Sequence, residues 1–303
     1  MMNIRYWAGY LSSILTVSSL YATDYCFVDK KNHWHLETDF ACMSYASFEK
    51  PSSVKDSKML YAEGTTSVYY NHFITENNAI VAQLGVNYTH LGWNHNPRFQ
   101  GKEYPYAIAS LSWVSYAVPD WRWVINGGLS FDATTANVSD SGVYYGLLWG
   151  RYQYTETFGM HVGFFGYAGG GGNGYLLPVL GCDWWWSNKW EYKAIFPLET
   201  SVNYHLNSDW TTALMFTTFG GPYRFPRRIH EGEGRYENGI FEVYSTGVEW
   251  DITFKSTNCL QAGCGAGYNF GGWILVKDSH NQHGRYYHFD SSGYGRAYLA
   301  FSF

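Results

Sequence analysis

The residues equipped to act on a ligand are thinly spread. Eleven histidines are present, and His280, His283 and His288 share one segment with Asp278 and Asp290. Imidazole and carboxylate groups are common metal ligands, but their spacing here matches no zinc pattern. The segment reads as a solvated loop, and no metal site is expected. His161 and His205 are candidate bases, with Ser201 on the strand face of His205. A serine nucleophile needs a base in contact and a third group to orient it, and no local signature links these residues. No catalytic residue is therefore expected. The runs Gly169–Gly174 and Gly263–Gly272 lack the Lys-Ser/Thr pair or strand–turn–helix setting of a phosphate loop, so no cofactor is expected. Five cysteines, Cys26, Cys42, Cys182, Cys259 and Cys264, leave at least one thiol unpaired within the chain. Cys26 and Cys42 could pair, whereas Cys259 and Cys264 fall on opposite strand faces.

The elements that carry these residues have period two. Ile80, Ala82, Leu84, Val86 and Tyr88 alternate with Gln83, Gly85, Asn87 and Thr89. Trp121, Trp123, Ile125, Leu129 and Phe131 oppose Arg122, Asn126, Gly128 and Ser130. Leu198, Val202, Tyr204 and Leu206 oppose Glu199, Ser201, Asn203 and His205. Tyr244, Val248, Trp250, Ile252 and Phe254 oppose Ser245, Gly247, Glu249, Asp251 and Thr253. A strand sends successive side chains to opposite faces, so each segment has one apolar face and one small or polar face.

Composition agrees. Aromatic residues make up 20% of the 303, glycine contributes 33, and only 15% are charged, against roughly 25% charged in an ordinary soluble domain. Mean hydropathy is nevertheless −0.29, as two faces of opposite character require. The net charge of −5 lacks the basic footprint of a nucleic-acid binder. Residues 1–22 read as a secretory signal peptide: Arg5 supplies the positive region, Tyr6–Leu20 is uncharged and mostly apolar or small, and Ala22 offers a cleavage position. No later apolar run is long enough for a transmembrane helix, which leaves a closed barrel as the way to enter a membrane.

Short joints at Thr75–Asn78, Pro119–Asp120, Thr155–Thr157, Ser187–Lys189, Asn207–Asp209 and Lys255–Asn258 largely alternate with longer ones at Ser47–Lys58, Asn94–Lys102, Ala133–Ser141, Ala168–Tyr175, Gly220–Gly239 and Lys277–Ser292. This is the layout of a transmembrane barrel with short periplasmic turns and longer extracellular loops. The expected fold is all-β: residues 23–303 form one closed antiparallel transmembrane β-barrel of about 14 strands. The strands fall at 34–45, 60–74, 79–93, 104–117, 121–132, 143–154, 158–167, 176–187, 190–196, 198–206, 210–219, 240–254, 259–276 and 293–303. Pro197 belongs in a short outer loop between two of them, since proline cannot donate to a ladder. If that hairpin or the first strand were misread, the count would be 12.

The last strand ends in Tyr298-Leu299-Ala300-Phe301-Ser302-Phe303, with Leu299, Phe301 and Phe303 on one face. This resembles the terminal signal of Gram-negative bacterial outer-membrane β-barrel proteins. The resemblance implies export to the outer membrane and the barrel-assembly machinery as a partner during biogenesis. The run Trp184-Trp185-Trp186, with Trp190, Trp121 and Trp210, adjoins the short turns, as interfacial girdles do. The aromatic and glycine bias is similar to that of an uncharacterised chlamydial-type barrel family.

By the same alternation Arg122, Arg151, His161, Glu191, Lys193, Glu199, His205, Glu249, Asp251 and Arg296 point into the lumen. Arg224, Arg227, Arg228 and Arg235 fall in an extracellular loop with Glu231, Glu233 and Glu237. Those arginines suit lipopolysaccharide phosphates, although a soluble mixed-charge loop accounts for them as well. Outer-membrane lipids and lipopolysaccharide are the expected surroundings, and no nucleic acid. The expected function is a porin-like channel for passive passage of small solutes. The alternatives are a surface-exposed structural envelope protein with a closed lumen and partner-binding loops, and a lipid-modifying outer-membrane enzyme.

Overall fold

The computed structural model describes residues 33–55, 57–94, 102–134, 138–169, 172–220, 222–224, 239–256, 259–278, 280 and 282–303. The expected signal peptide, Cys26, Arg227, Arg228 and Arg235 lie outside them.

Strand segments run in chain order as β1 (Trp34–Lys50), β2 (Lys58–Thr75), β3 (Asn78–Asn94), β4 (Lys102–Ser115), β5 (Trp121–Asp132), β6 (Val143–Thr155), β7 (Phe158–Gly169) and β8 (Gly172–Trp185). They continue as β9 (Trp190–Phe196), β10 (Glu199–His205), β11 (Trp210–Phe219), β12 (Pro222–Arg224), β13 (Ile240–Lys255), β14 (Leu260–Lys277), β15 (Arg285–Phe289) and β16 (Ser292–Ser302). All belong to one antiparallel sheet. Beyond Gly220, β12 extends the ladder of β11 against β13. In the same way β15 extends β16 against β14 and β1. The barrel therefore has 14 strand positions.

Closure is made between β1 and β16, in register from His35↔Ser302 to Met43↔Tyr294. Trp34 and Phe303 exchange backbone hydrogen bonds of 3.0 and 2.9 Å at the seam. Pairing the first strand with the last removes the open edge that a sheet of this size would otherwise expose. The count of 14 rather than 12 turns on β9 and β10. They pair directly, Glu199↔Ile195 to Tyr204↔Trp190, and Pro197 stands in the turn between them, where its missing N–H costs no ladder bond.

At one end of the barrel, polar side chains set the turns. Asn207 Oδ1 accepts from the backbone N–H groups of Asp209 and Trp210, both at 2.9 Å. Ser187 Oγ does the same for Lys189 and Trp190, as Asx and Ser/Thr turns do. At the other end the ladders reach further than hydropathy alone indicates. Gly169↔Gly172 still pair, so the joint expected at Ala168–Tyr175 shrinks to residues 170–171. The joint expected at Lys277–Ser292 contains β15. Glycine and polar residues look like loop, but hydrogen bonding from flanking strands holds them in the ladder. Ser47–Lys50 are likewise strand, paired in part with β15.

The alternation divides the side chains as expected. Leu84, Val86, Leu111, Ile125, Leu148, Leu176, Leu214 and Trp250 are exposed on the outward face, Leu176 to 71%. Gln83, Asn87, Ser112, Asn126, His161 and Ser201 are buried on the inward face. Around the short-turn end stand outward aromatics, among them stacked pairs Trp121–Trp123 and Trp186–Trp190. Leu299, Phe301 and Phe303 also face outward, the last two stacked at 5.7 Å.

The inward face is layered along the barrel axis. Toward the long-loop end it is apolar: Met43, Phe48, Met59, Tyr61, Leu91, Tyr104, Phe241, Val243, Ile274 and Tyr287 form one buried cluster. Val54, from the β1–β2 joint, folds into it. Tyr145, Leu147, Trp149, Phe165, Leu177, Val179 and Ile195 form a second cluster on the opposite wall. Toward the short-turn end the inward positions are mainly polar or charged, apart from Tyr69, Val81 and Val114.

Candidate functional site: the lumen wall

The structure places the ten residues expected to line the lumen in two groups on opposite walls of the barrel. The first group spans β5 to β10. Arg122 places its guanidinium 5.4 Å from the Trp149 ring centroid. The Trp149 indole N–H donates to His161 Nδ1 at 3.1 Å. That bond leaves the His161 proton on Nε2, which lies 2.5 Å from Asp183 Oδ1. Arg151 closes the chain with a two-pronged contact to Asp183, Nε at 2.9 Å and Nη2 at 2.6 Å. Such forked pairs are both stronger and more directional than single contacts. Further round, Lys193 lies between Glu191 and Glu199, at 4.0 and 3.8 Å. His205 Nε2 is 3.5 Å from Glu191 and its ring stacks on Trp185 at 4.6 Å. Carboxylates and cations are matched along this wall.

The second group spans β13, β14, β16, β1 and β2. Arg296 donates from Nε and Nη2 to Asp39 Oδ2, at 2.8 and 2.5 Å. Glu63 accepts from Tyr61 at 2.5 Å and from Asn87 at 2.8 Å. Glu37 accepts from Tyr69 at 3.3 Å. Asp251 accepts from Thr253 at 2.8 Å and Tyr298 at 3.4 Å. Glu249 is buried to 1% exposure. Five carboxylates thus share this wall with one guanidinium at their level, among the described residues.

Glycines make room for the second group. On β14 the inward positions include Gly265 and Gly267. A Cβ at Gly265 would stand 2.5 Å from Glu249 Oε1, and one at Gly267 would meet the Tyr294 ring and the Val248 carbonyl at 2.4 Å. The alternation of Gly263, Gly265 and Gly267 with Ala262, Cys264 and Ala266 is therefore the floor on which neighbouring side chains lie.

Asp39, Glu37, Glu63 and Asp183, which complete both groups, were not among the sequence candidates. The signal was present: His35, Glu37 and Asp39 share a face by alternation, and Asp183 falls opposite Trp184. Ser201 and His205 do not form a nucleophile pair, since Ser201 Oγ donates to Glu199 at 2.8 Å and His205 Nδ1 contacts Thr211 at 3.0 Å. In the β14–β15 loop Asp278 accepts from the backbone N–H groups of His280 and Gln282, at 3.1 and 2.7 Å, and contacts His283 Nδ1 at 2.7 Å. The His283 contact, with help from those amides, holds the Asp278 carboxyl below its ordinary range. His288 belongs to β15, and among the described residues no group of these side chains forms a metal-binding cluster. Arg224 lies in β12. Cys42, Cys182 and Cys264 are free thiols among the described residues.

No family model matches the chain. It is 26% identical over 198 residues to an uncharacterized protein of Chlamydia muridarum, covering 64% of this chain and 60% of that one. A protein of Chlamydia trachomatis is 20% identical over 273 residues, covering 84% and 83%. The chain spans about three fifths of the length of the first of these relatives. Among solved structures it resembles an outer-membrane channel of Pseudomonas putida F1, with a TM-score of 0.50 and 9% identity, over 92% of this chain and 98% of the other. At that identity the likeness is one of fold. The chain is thus a closed antiparallel β-barrel of the Gram-negative outer-membrane architecture, with chlamydial proteins as its sequence relatives.

Proposed function

We propose that this barrel is a passive conduit for small solutes across the outer membrane. The observation that carries the reading is the polar half of the inward face, with ionisable groups of both signs on two opposed walls. Taking an ion out of water costs several kcal/mol even after relaxation. A barrel needing only rigidity can fill with apolar side chains. Ionisable groups of both signs kept on the inward face, rather than an apolar filling throughout, support a polar path along the axis. The long-loop half is a constriction: Tyr104 of β4 and Phe241 of β13 lie on well-separated strands, yet their rings stack at 6.1 Å and 4°. This contact spans the lumen and narrows the path.

The exposed outward belt suits the hydrocarbon of the outer membrane, with the aromatic ring at the short-turn end at its periplasmic interface. Leu299, Phe301 and Phe303 present the terminal strand to the assembly machinery, and lipopolysaccharide is the partner proposed for the long-loop end. Planar-bilayer recording tests the conduit. Wild type is expected to show small or infrequent conductance steps, and the double variant Tyr104→Ala/Phe241→Ala larger or more frequent ones. Folded barrels of both kinds that never conduct would overturn the proposal. That result would favour the second reading, a closed-lumen envelope protein, which the same cross-lumen stacking supports.

A further inference from the structure

The two walls differ in how their carboxylates are satisfied. On the β5–β10 wall, each of Asp183, Glu191 and Glu199 has a cationic or imidazole partner. On the facing wall the sheet sets Asp251, Gly265, Arg296, Ala41 and Glu63 in one lateral row. Arg296 is the cation at this level, and Asp39 holds it. Glu37, Glu63, Glu249 and Asp251 stand on the same wall with no ion-pair partner within 4 Å among the described residues.

Glu249 shows where the deficit is greatest. It is 1% exposed; the Tyr294 hydroxyl acts on it, but neither carboxylate oxygen has a partner of good hydrogen-bond geometry among the described residues. Asp251 Oδ2 is likewise without one. A buried carboxylate left this way is costly, and native structures reserve such groups for a water, an ion or a function. The carboxylate lies over Gly265, where a methyl group would strike it. Glycine weakens a strand interior, so the chain accepts a local cost to keep this space.

We propose that Glu249 and Asp251, backed by Glu63 and Glu37, form a subsite in the lumen for a small cation, either a hydrated alkali ion or an organic ammonium group. No three of the described His, Cys, Asp and Glu side chains are arranged to chelate a metal. The occupant is therefore held by charge and hydrogen bonding rather than by coordination. It enters from the short-turn end, where the inward positions are polar. The subsite deepens the conduit reading by naming its solute class, and it rests on that reading for passage though not for binding.

The test uses the full barrel refolded in detergent. Its thermal unfolding midpoint is followed by tryptophan fluorescence as putrescine is added at constant ionic strength. A ligand that binds only the folded state raises the midpoint. Wild type is expected to show a rise that grows with putrescine concentration, and Glu249→Gln/Asp251→Asn none. Should the double variant not refold, Glu249→Gln alone is expected to reduce the rise. In bilayers under a potassium chloride gradient, the wild-type reversal potential is expected on the cation-selective side and that of the variant nearer zero. An equal rise in wild type and variant, or no rise in wild type, would overturn the subsite. A putrescine response without conductance would leave the subsite standing and remove the conduit. Conductance without a putrescine response would do the reverse.

Discussion

At the scale of single residues, the inward charges are ranked by what would be left behind if one were removed. Asp183 faces both Arg151 and His161. Asp183→Ala strands a guanidinium and an imidazole in a water-poor wall, and loss of one partner of a buried pair costs roughly 3 kcal/mol. The variant is expected to unfold at clearly lower urea concentration in lipid vesicles, while Asp183→Asn retains part of the hydrogen bonding and falls between. An unchanged midpoint for the alanine variant would show that water already screens the pair. The loop carboxylate of Asp278 behaves differently. Its folded pKa lies below the unfolded value of 3.8, chiefly through His283. A depressed carboxylate stabilises the folded loop above that unfolded value, and the contribution fades as pH falls through the folded one. Proteolysis of the β14–β15 loop is expected to accelerate on acidification below about pH 4 in wild type, and to lose much of this dependence in Asp278→Asn.

At the scale of strands, glycine separates two kinds of position that look alike in the sequence. Gly267 faces inward, where an added Cβ would strike the Val248 carbonyl at 2.4 Å. Gly127 faces outward, where a Cβ would meet nothing within 4 Å. Gly267→Ala is expected to cost about 1–3 kcal/mol, as overpacking does. Gly127→Ala is expected to be neutral or to stabilise by roughly 0.5 kcal/mol through reduced freedom of the unfolded chain. Denaturation of the two refolded variants decides this, and equal effects would count against the inward assignment of β14. Period two made the strands, their faces and even the Pro197 hairpin legible, because one-residue shifts would exchange the two faces. The strand ends were less legible. Gly169 and Gly172 are loop-like residues held in the ladder by backbone bonds from flanking strands, and Arg285–Phe289 is a short aromatic segment set in a polar stretch that hides it. The candidate site was legible as a face but not as partners. Alternation marks Arg151 and Arg296 as inward, whereas pairing with Asp183 and Asp39 depends on shear between strands, and for Arg296 on closure of a seam 257 residues apart in sequence.

At the scale of the whole molecule, the proposed conduit ties stability and permeation to different ends of the layered interior. The apolar clusters at the long-loop end stabilise the fold without any ion, and they obstruct the path with the same side chains. In the proposed conduit the polar end supplies the path and contributes less to stability. A change at the constriction should therefore trade one property for the other. Deleting a buried aromatic ring typically costs about 3–5 kcal/mol, and Phe241 is buried to 1%. Phe241→Ala is expected to lower the unfolding midpoint while raising solute entry in a liposome-swelling assay. Phe241→Leu, which keeps most of the apolar volume, should lose little of either. An opposite order, with Phe241→Ala destabilised but no more permeable than wild type, would place the barrier elsewhere along the axis. The polar level around Arg296 would then be the next candidate, since Asp39 from the adjoining strand and Glu249 from the next strand but one converge there.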